Sequence, residues 1–309
     1  MLVWLDKHDR DQPLALGCEQ HKFLLATLTT LHWFSIDLKG CLEKLWGKVN
    51  SDLWQPGMLS GLIDTSETLP LLYRPIPPQK LNCAVNLAMG KWKNGEKDHA
   101  NLWALLMDAV PDSAREKDSS RNAWSRALVV AFHRTELLLY AQRQGIGMLF
   151  PDFNAPGSDG LEDFDRPWDY DHIFPFSYVR GVWHVHRLIK DLVNSIGNLR
   201  VWPMECNRSD QNIFPYLKLS KVTLMEENYK MRCDKDIRVA SLIDDKNWEE
   251  WQAASPKDKN IPSQYLKDDQ YKQYRYNLAG AITSRTITIY QHWFDDLNVG
   301  ALFDERNAP

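Results

Sequence analysis

Apolar residues recur at helical spacing along most of this chain, and one stretch, Trp168 to Asn212, carries short β-prone runs instead. Phe23, Leu24, Ala26, Leu28 and Leu31 predict a first helix. Leu38, Leu42, Leu45 and Val49, after an N-cap at Ser35, predict a second, amphipathic one. Arg74-Pro-Ile-Pro-Pro78 cannot be a helix interior and reads as a rigid loop. Leu102 to Val110 is a further helix, closed by Pro111 and a charged linker from Asp112 to Ser120. Trp124, Leu128, Ala131, Thr135, Leu138 and Gln142 then keep a 3.6-residue period, which predicts one helix of about 24 residues stopped by Gly145. Past the central stretch, Lys221 to Lys235 reads as a short strand and an irregular charged segment, and Trp248 to Ala254 as a turn or two of helix. Ser255 to Ser263 is a linker. In the last element, about 30 residues long, Leu278, Ile282, Ile289, Trp293 and Leu297 share a helix face. The expected fold is mainly α with a small α+β insert. A helical domain at 1–150 precedes a core at 151–235 with an acidic lead-in loop, and a helical segment at 236–309 packs on that core.

The insert concentrates the candidate chemistry. Asp171 and His172 sit in a short apolar run closed by Pro175. A turn at Ile196-Gly-Asn198 precedes a second β-prone run, Leu199, Val201 and Trp202, and Asn207 follows where a new helix can start. Consecutive strand residues face opposite sides, so Asp171 and His172 serve one phosphate only if the strand ends there. Asp171 would then face a metal and His172 the attacking water. A Mg²⁺ ion keeps several waters, so one carboxylate, the Asn207 amide oxygen and a substrate phosphate suffice as ligands. A neutral His172 accepts a water proton near pH 7. Asp169 shares the strand face of Asp171 and could support the metal through a water. Asn198 is expected to tie the turn together, and Asp210 and Gln211 to position Asn207 from the same helix. His184 and His186 lie on a predicted helix, Val182 to Val193, two residues apart, which does not place them on one face.

Charge narrows the partners. A formal net charge of −4 and a pI near 6.1 exclude a globally basic nucleic-acid coat, so any contact to a phosphate backbone must be local. Arg180, Arg187, Lys190, Arg200 and Arg208 are the candidates, within a span from Arg180 to Lys221 of seven bases and three acids. A solvated mixed face accounts for that surplus equally well. Between Pro151 and Asp171 seven acids face one base, Arg166, which reads as a solvated loop apart from Asp169 and Asp171. The longest apolar run is six residues, Ala127 to Phe132, far short of a membrane span. Five cysteines without a CxxC pair argue against a zinc knuckle and a disulfide framework, and with no secretory leader in view a cytoplasmic location is expected.

Asp169-Tyr-Asp-His-Ile-Phe-Pro175, Ser195-Ile-Gly-Asn-Leu199 and Glu205-Cys-Asn-Arg-Ser-Asp-Gln-Asn212 together resemble the ββα-metal motif of HNH nucleases. The closest likeness is to the C-terminal nuclease domain of GmrSD-type restriction endonucleases. The motif covers about 45 residues, and the flanking helices resemble the family only loosely. The resemblance implies metal ligands at Asp171 and Asn207 and a general base at His172. It also implies Mg²⁺ or Mn²⁺, a DNA substrate (often modified) and a role in prokaryotic defence. Two features depart from the family. The helix between the Asp-His pair and the second run is longer than a minimal connection. The ParB-like nucleotide-binding domain that usually comes first, with its Gly-Gln-Gln-Arg-type motif, has no counterpart in this sequence. The alternatives are a DNA-binding or partner-docking module with an idle nuclease core, and a nuclease acting on RNA.

Overall fold

A computed structural model of the chain describes residues 19–46, 57–63, 71–97, 99–152, 166–180, 186–210, 212–256 and 265–303. It is mainly helical, with a single two-stranded antiparallel sheet among these residues. The chain forms two compact units. One comprises residues 1–77, 117–127 and 292–309, and the other residues 78–116 and 128–291. Both are discontinuous in sequence, so their limits do not coincide with 1–150, 151–235 and 236–309.

In the first unit, α1 (Glu19–Phe34) and α2 (Leu38–Trp46) follow the two predicted periodicities. The cap of α2 is Asp37, whose carboxylate accepts the Gly40 N–H at 2.9 Å. Ser35, the expected cap, instead bridges to Leu72 in extended backbone. Phe34 stacks on Trp293 with ring centroids 5.8 Å apart, and the Trp293 indole N–H donates to Thr29 Oγ1 at 2.9 Å. The α2 stripe behaves differently from expectation. Leu38 and Leu42 are 40% and 48% exposed, and Cys41 is the side chain that turns inward. Val49 lies outside the described residues.

The second unit carries α3 (Pro78–Lys93), α4 (Leu102–Asp108), α5 (Asp118–His133), α6 (Thr135–Ala141) and α7 (Arg143–Leu149). Residues 118–127 of α5 belong to the first unit. The proline cluster is a loop, and its last member, Pro78, opens α3, where a missing N–H costs nothing. The single helix expected through Gln142 is three. Arg134 takes an extended backbone (φ −82°, ψ 102°), and Gln142 leaves helical geometry to send its side chain elsewhere. Gly145 is no stop, because α7 runs through it. A Cβ at Gly145 would stand 2.9 Å from the Ala240 carbonyl, so the glycine answers to packing rather than to capping.

The sheet consists of β1 (Trp168–His172) and β2 (Leu199–Pro203), separated by α8 (Arg187–Val193) and a 3₁₀ turn at Ile196–Asn198. The expected Val182–Val193 helix begins only at Arg187, with His186 as its N-cap. Residues 181–185, and with them His184, lie outside the described residues. The same holds for residues 153–165, most of the acidic loop. After β2 come α9 (Met204–Asp210), α10 (Pro215–Lys218), α11 (Asp234–Ala240), α12 (Asp245–Ala254) and α13 (Lys272–Asp296). The strand expected after Lys221 is absent. Thr223 and Glu226 form a capping box there, which commits Leu224–Asn228 to a helical turn. The predicted stripe is buried throughout, from Leu278 in α13 to Leu297 just past its end.

A lone two-stranded sheet is marginal in water, so its backbone must be held by its surroundings. Gln142 does part of this. Its Oε1 accepts the Val201 N–H at 2.8 Å on the free edge of β2, and its Nε2 donates to the Ala240 carbonyl at 2.6 Å. Arg285 of α13, fully buried, does the rest. Its guanidinium donates to the carbonyls of Gly197, Leu199 and Ser241 at 2.9, 2.5 and 2.9 Å. Burial, with Arg200 nearby, brings its pKa down to about 9. Gly197 packs so closely on α13 that a Cβ would collide with the Thr286 hydroxyl and the Ile282 carbonyl.

Candidate functional site

The register of the sheet decides where each candidate points. Asp171 pairs with Arg200, Asp169 with Trp202, and His172 with Leu199. Alternation therefore puts Asp169, Asp171, Arg200 and Trp202 on one face, and Tyr170, His172, Leu199 and Val201 on the other. The strand stays regular through His172, so Asp171 and His172 leave it in opposite directions.

The first face meets α9, and it is filled with charge. Arg200 Nε donates to Asp171 Oδ2 at 2.8 Å, and the Lys218 ammonium donates to Asp171 Oδ1 at 2.7 Å. Lys218 also donates to the His172 backbone carbonyl at 2.8 Å. The side chains of Arg200, Lys218 and Asp171 are all but sealed from solvent, at 0%, 1% and 2% exposure. Arg200 lies with its guanidinium carbon 3.9 Å from the centroid of the Trp202 ring, and Asp210 Oδ2 stands 3.7 Å from its Nη2. Burial raises the Asp210 pKa against the pull of Arg200, and burial lowers that of Lys218 against the pull of Asp171. Asp210 thus faces Arg200. Gln211 lies outside the described residues.

Further along the same face the arrangement opens. Asn207, the fourth residue of α9, donates its amide to Asp169 Oδ2 at 3.3 Å, and both side chains are half-buried. Asn198 is fully buried and does what its turn position promised. Its Oδ1 accepts the Phe174 N–H at 2.8 Å, and its Nδ2 donates to the carbonyls of Phe174 and Val193 at 2.9 Å each. Its own carbonyl accepts the Ile173 N–H at 2.8 Å. These bonds fix the chain leaving β1 to the turn entering β2.

On the other face His172 is half-buried and stacked against Phe176, with centroids 5.7 Å apart at 25°. Burial lowers its pKa, Asp171 opposes that shift, and Lys218 adds to it. The imidazole is therefore neutral near pH 7 and able to accept a proton.

Two assignments change. Arg200, expected at a phosphate backbone, is a core cation with no surface to offer. Of the other four, Arg180, Arg187 and Arg208 are exposed and Lys190 half-exposed. Lys218, counted in the basic surplus, is also internal, so the local positive footprint is smaller than the sequence suggests. Asp171, expected to ligate a metal, has both oxygens bonded to buried cations and does not fit that role as placed. Among the described residues no three His, Cys, Asp or Glu side chains gather as a metal cluster. Lys218, Arg285 and Gln142 hold the sheet and its buried charges in place, a part that the sequence pattern does not assign to them. Lys218 reads in the pattern as one more surface base, and only the Pro215 turn that aims it inward marks it out.

Comparison of the chain with protein-family models, curated proteins and solved structures finds no match. Among the described residues no helix is long and apolar enough to cross a membrane.

Proposed function

We propose that this protein is a metal-dependent phosphodiesterase of the HNH type, cutting or nicking DNA. One observation carries the reading. A strand ending in Asp-His, a second antiparallel strand and an immediately following helix are joined so that Asn207 of the helix returns to a carboxylate of the first strand. Asn198 welds the two strand ends, as the middle residue of such a motif would.

In the proposed chemistry a water oxygen attacks phosphorus while its proton passes to the neutral His172 imidazole, and the bond to the departing sugar oxygen breaks. A divalent ion, Mg²⁺ or Mn²⁺, would supply positive charge to the scissile phosphate and the leaving oxygen. Arg180, Arg187 and Arg208 are exposed on the same unit, Arg187 with its Nε 4.0 Å from the Asp191 carboxylate, and are the bases proposed to meet a phosphate backbone. A role in defence against foreign DNA, and a separate nucleotide-binding domain as partner, follow from the family resemblance and belong to this proposal.

A second reading has an observation of its own. Asp171 is neutralised by two buried cations and His172 leaves the opposite face, which suits a DNA-binding or docking module whose nuclease core is idle. Supercoiled plasmid with Mg²⁺ or Mn²⁺ at low salt separates the two. Nicking or linearisation by wild type and not by His172→Ala supports the nuclease. DNA bound but uncut by both supports the idle core, and equal cleavage by both removes the role of His172.

A further inference from the structure

We infer that Asn94 is a site of spontaneous covalent change: its carboxamide closes on the Gly95 main-chain nitrogen and hydrolyses to aspartate or isoaspartate, and the isoaspartyl product unlatches the end of α3. The inference does not depend on the nuclease reading.

Sequence and structure single out this position together. Asn94 is the only asparagine in the chain followed by glycine. Glycine has no Cβ, so its nitrogen reaches Asn94 Cγ without crowding. The segment from Lys93 to Lys97 is exposed, and among the described residues the Asn94 carboxamide has no hydrogen-bond partner. Asn194 is the contrasting case. Its amide donates to the Lys190 carbonyl at 2.9 Å, and Ser195, which follows it, is fully buried.

The chemistry balances with water alone. Hydroxide takes the Gly95 amide proton, the nitrogen bonds to Asn94 Cγ, and the Cγ–Nδ2 bond breaks as Nδ2 leaves as ammonia with a proton from water. Water then opens the resulting cyclic imide. Addition at Cγ breaks the new bond and leaves aspartate. Addition at the main-chain carbonyl breaks the original peptide bond and leaves isoaspartate, with the chain now running through the side-chain carbons. Nothing is oxidised or reduced. In the closed turn the Gly95 nitrogen is engaged elsewhere. Gly95 sits at φ +78° and its N–H donates to the Trp92 carbonyl at 3.0 Å, while the Glu96 N–H donates to the Lys91 carbonyl at 3.0 Å. This pair of bonds is a Schellman cap. The reaction therefore proceeds as the exposed last turn frays, an opening of low free energy at helix ends.

The two products leave different structures behind. Aspartate keeps the main chain and its cap. Isoaspartate adds a methylene to the main chain just before the Gly95 nitrogen, so the cap bonds that span it lose their geometry. The turn loosened in this way carries Trp92, which is 2% exposed. Trp92 donates its indole N–H to His186 Nε2 at 3.2 Å and packs edge-on against Tyr276. His186 in turn caps α8, the helix between β1 and β2.

The test is to hold the full chain in warm, mildly alkaline buffer and map its peptides by mass spectrometry. Labelling with an isoaspartyl-specific methyltransferase tells the products apart. The Asn94 peptide is expected to gain the mass of an NH2-to-OH exchange, with isoaspartate among its products, while the Asn194 peptide gains none over the same period. Asn94→Gln is expected to abolish the gain, and urea to speed it. Neither Asn94→Gln nor Asn94→Asp threatens the fold, because the side chain is exposed and bonds to nothing described. In the purified isoaspartyl form the Gly95 and Glu96 amides are expected to lose the protection from hydrogen exchange that Asn94→Asp retains. An Asn94 peptide that stays unchanged in the folded chain would overturn the site, as would a gain that survives Asn94→Gln or equal conversion at Asn194. Conversion that urea does not speed would overturn the route through fraying, and equal protection in the isoaspartyl form and Asn94→Asp would overturn the unlatching.

Discussion

The two ends of the layer between α9 and the sheet hold the same residue type in opposite circumstances. Asp171 and Asp169 share a strand, a face and a helix above them, yet one is sealed between a guanidinium and an ammonium while the other borders solvent beside a neutral amide. Nothing in the carboxylates themselves makes the difference. It comes from which residues lie opposite. Register gives Asp171 an arginine and Asp169 a tryptophan, and the turn at Pro215 adds Lys218 to the first alone. A buried ion pair of this kind contributes little net stability over an apolar substitute, but removing one member leaves an uncompensated charge in the interior. An exposed carboxylate carries no such liability.

The largest expected effect tests that contrast directly. Asp171→Ala should lower stability by about 3–5 kcal/mol, because two buried cations lose their anion at once. Asp169→Ala should cost less than about 1 kcal/mol, the ordinary range for a half-exposed polar residue. Urea denaturation monitored by circular dichroism measures both. Equal losses would mean that the two carboxylates are not differently housed. A double substitution, Asp171→Leu with Lys218→Met, should recover part of the loss, since it removes one of the two stranded cations and leaves only Arg200, which Asp210 approaches.

Next in size is Asn198→Ala. The substitution orphans the Phe174 N–H and the carbonyls of Phe174 and Val193 in a fully buried turn, and should cost about 2–4 kcal/mol. The same denaturation experiment reads it. A loss near zero would show that Arg285, Gln142 and the backbone bond from Ile173 to the Asn198 carbonyl suffice to hold the junction of β1 and β2. Serine in place of alanine should not restore it, because one hydroxyl cannot reach three partners on two segments.

Asn198 also shows what the sequence could carry. Its turn, both strands and the following helix are legible in the sequence, because a Gly-Asn turn and short runs of aromatic and apolar residues act locally. The apolar stripe of α13 was legible for the same reason: helical period is a property of neighbours. What failed was everything settled at long range. The break at Arg134, the helical course of Gly145 and the inward turn of Lys218 depend on what packs against them. For Gly145 that is the Ala240 carbonyl, 95 positions later in the chain. The pairing of Asp171 with Arg200 was in principle within reach. Once the turn at Ile196–Asn198 fixes where β2 begins, a register with His172 opposite Leu199 puts an arginine against the aspartate.

The smallest expected effect concerns the other face of β1, where His172 is half-buried and its pKa is lowered, chiefly by burial, with Asp171 opposing and Lys218 assisting. Above the ordinary histidine value of about 6.5 the ring is neutral in both folded and unfolded chains and contributes no pH dependence. As pH falls below that value the unfolded chain takes up the proton first. It then binds more protons than the folded one, and stability is lost until pH passes the lowered folded value. Asn at 172 has no proton to bind, so the stability of wild type relative to His172→Asn should be greatest near pH 7.5 and decline toward pH 5.5. Asp210 and Glu226, both raised by burial, push in the opposite direction. Their unfolded forms release protons first, so they weaken the fold as pH rises from the ordinary carboxylate range. They are common to both proteins and cancel in the difference. Urea midpoints at the two pH values suffice. A difference that does not change with pH would place His172 in water-like surroundings, and the neutral base that the proposed chemistry needs would then owe nothing to the Phe176 stack or to the buried lysine behind it.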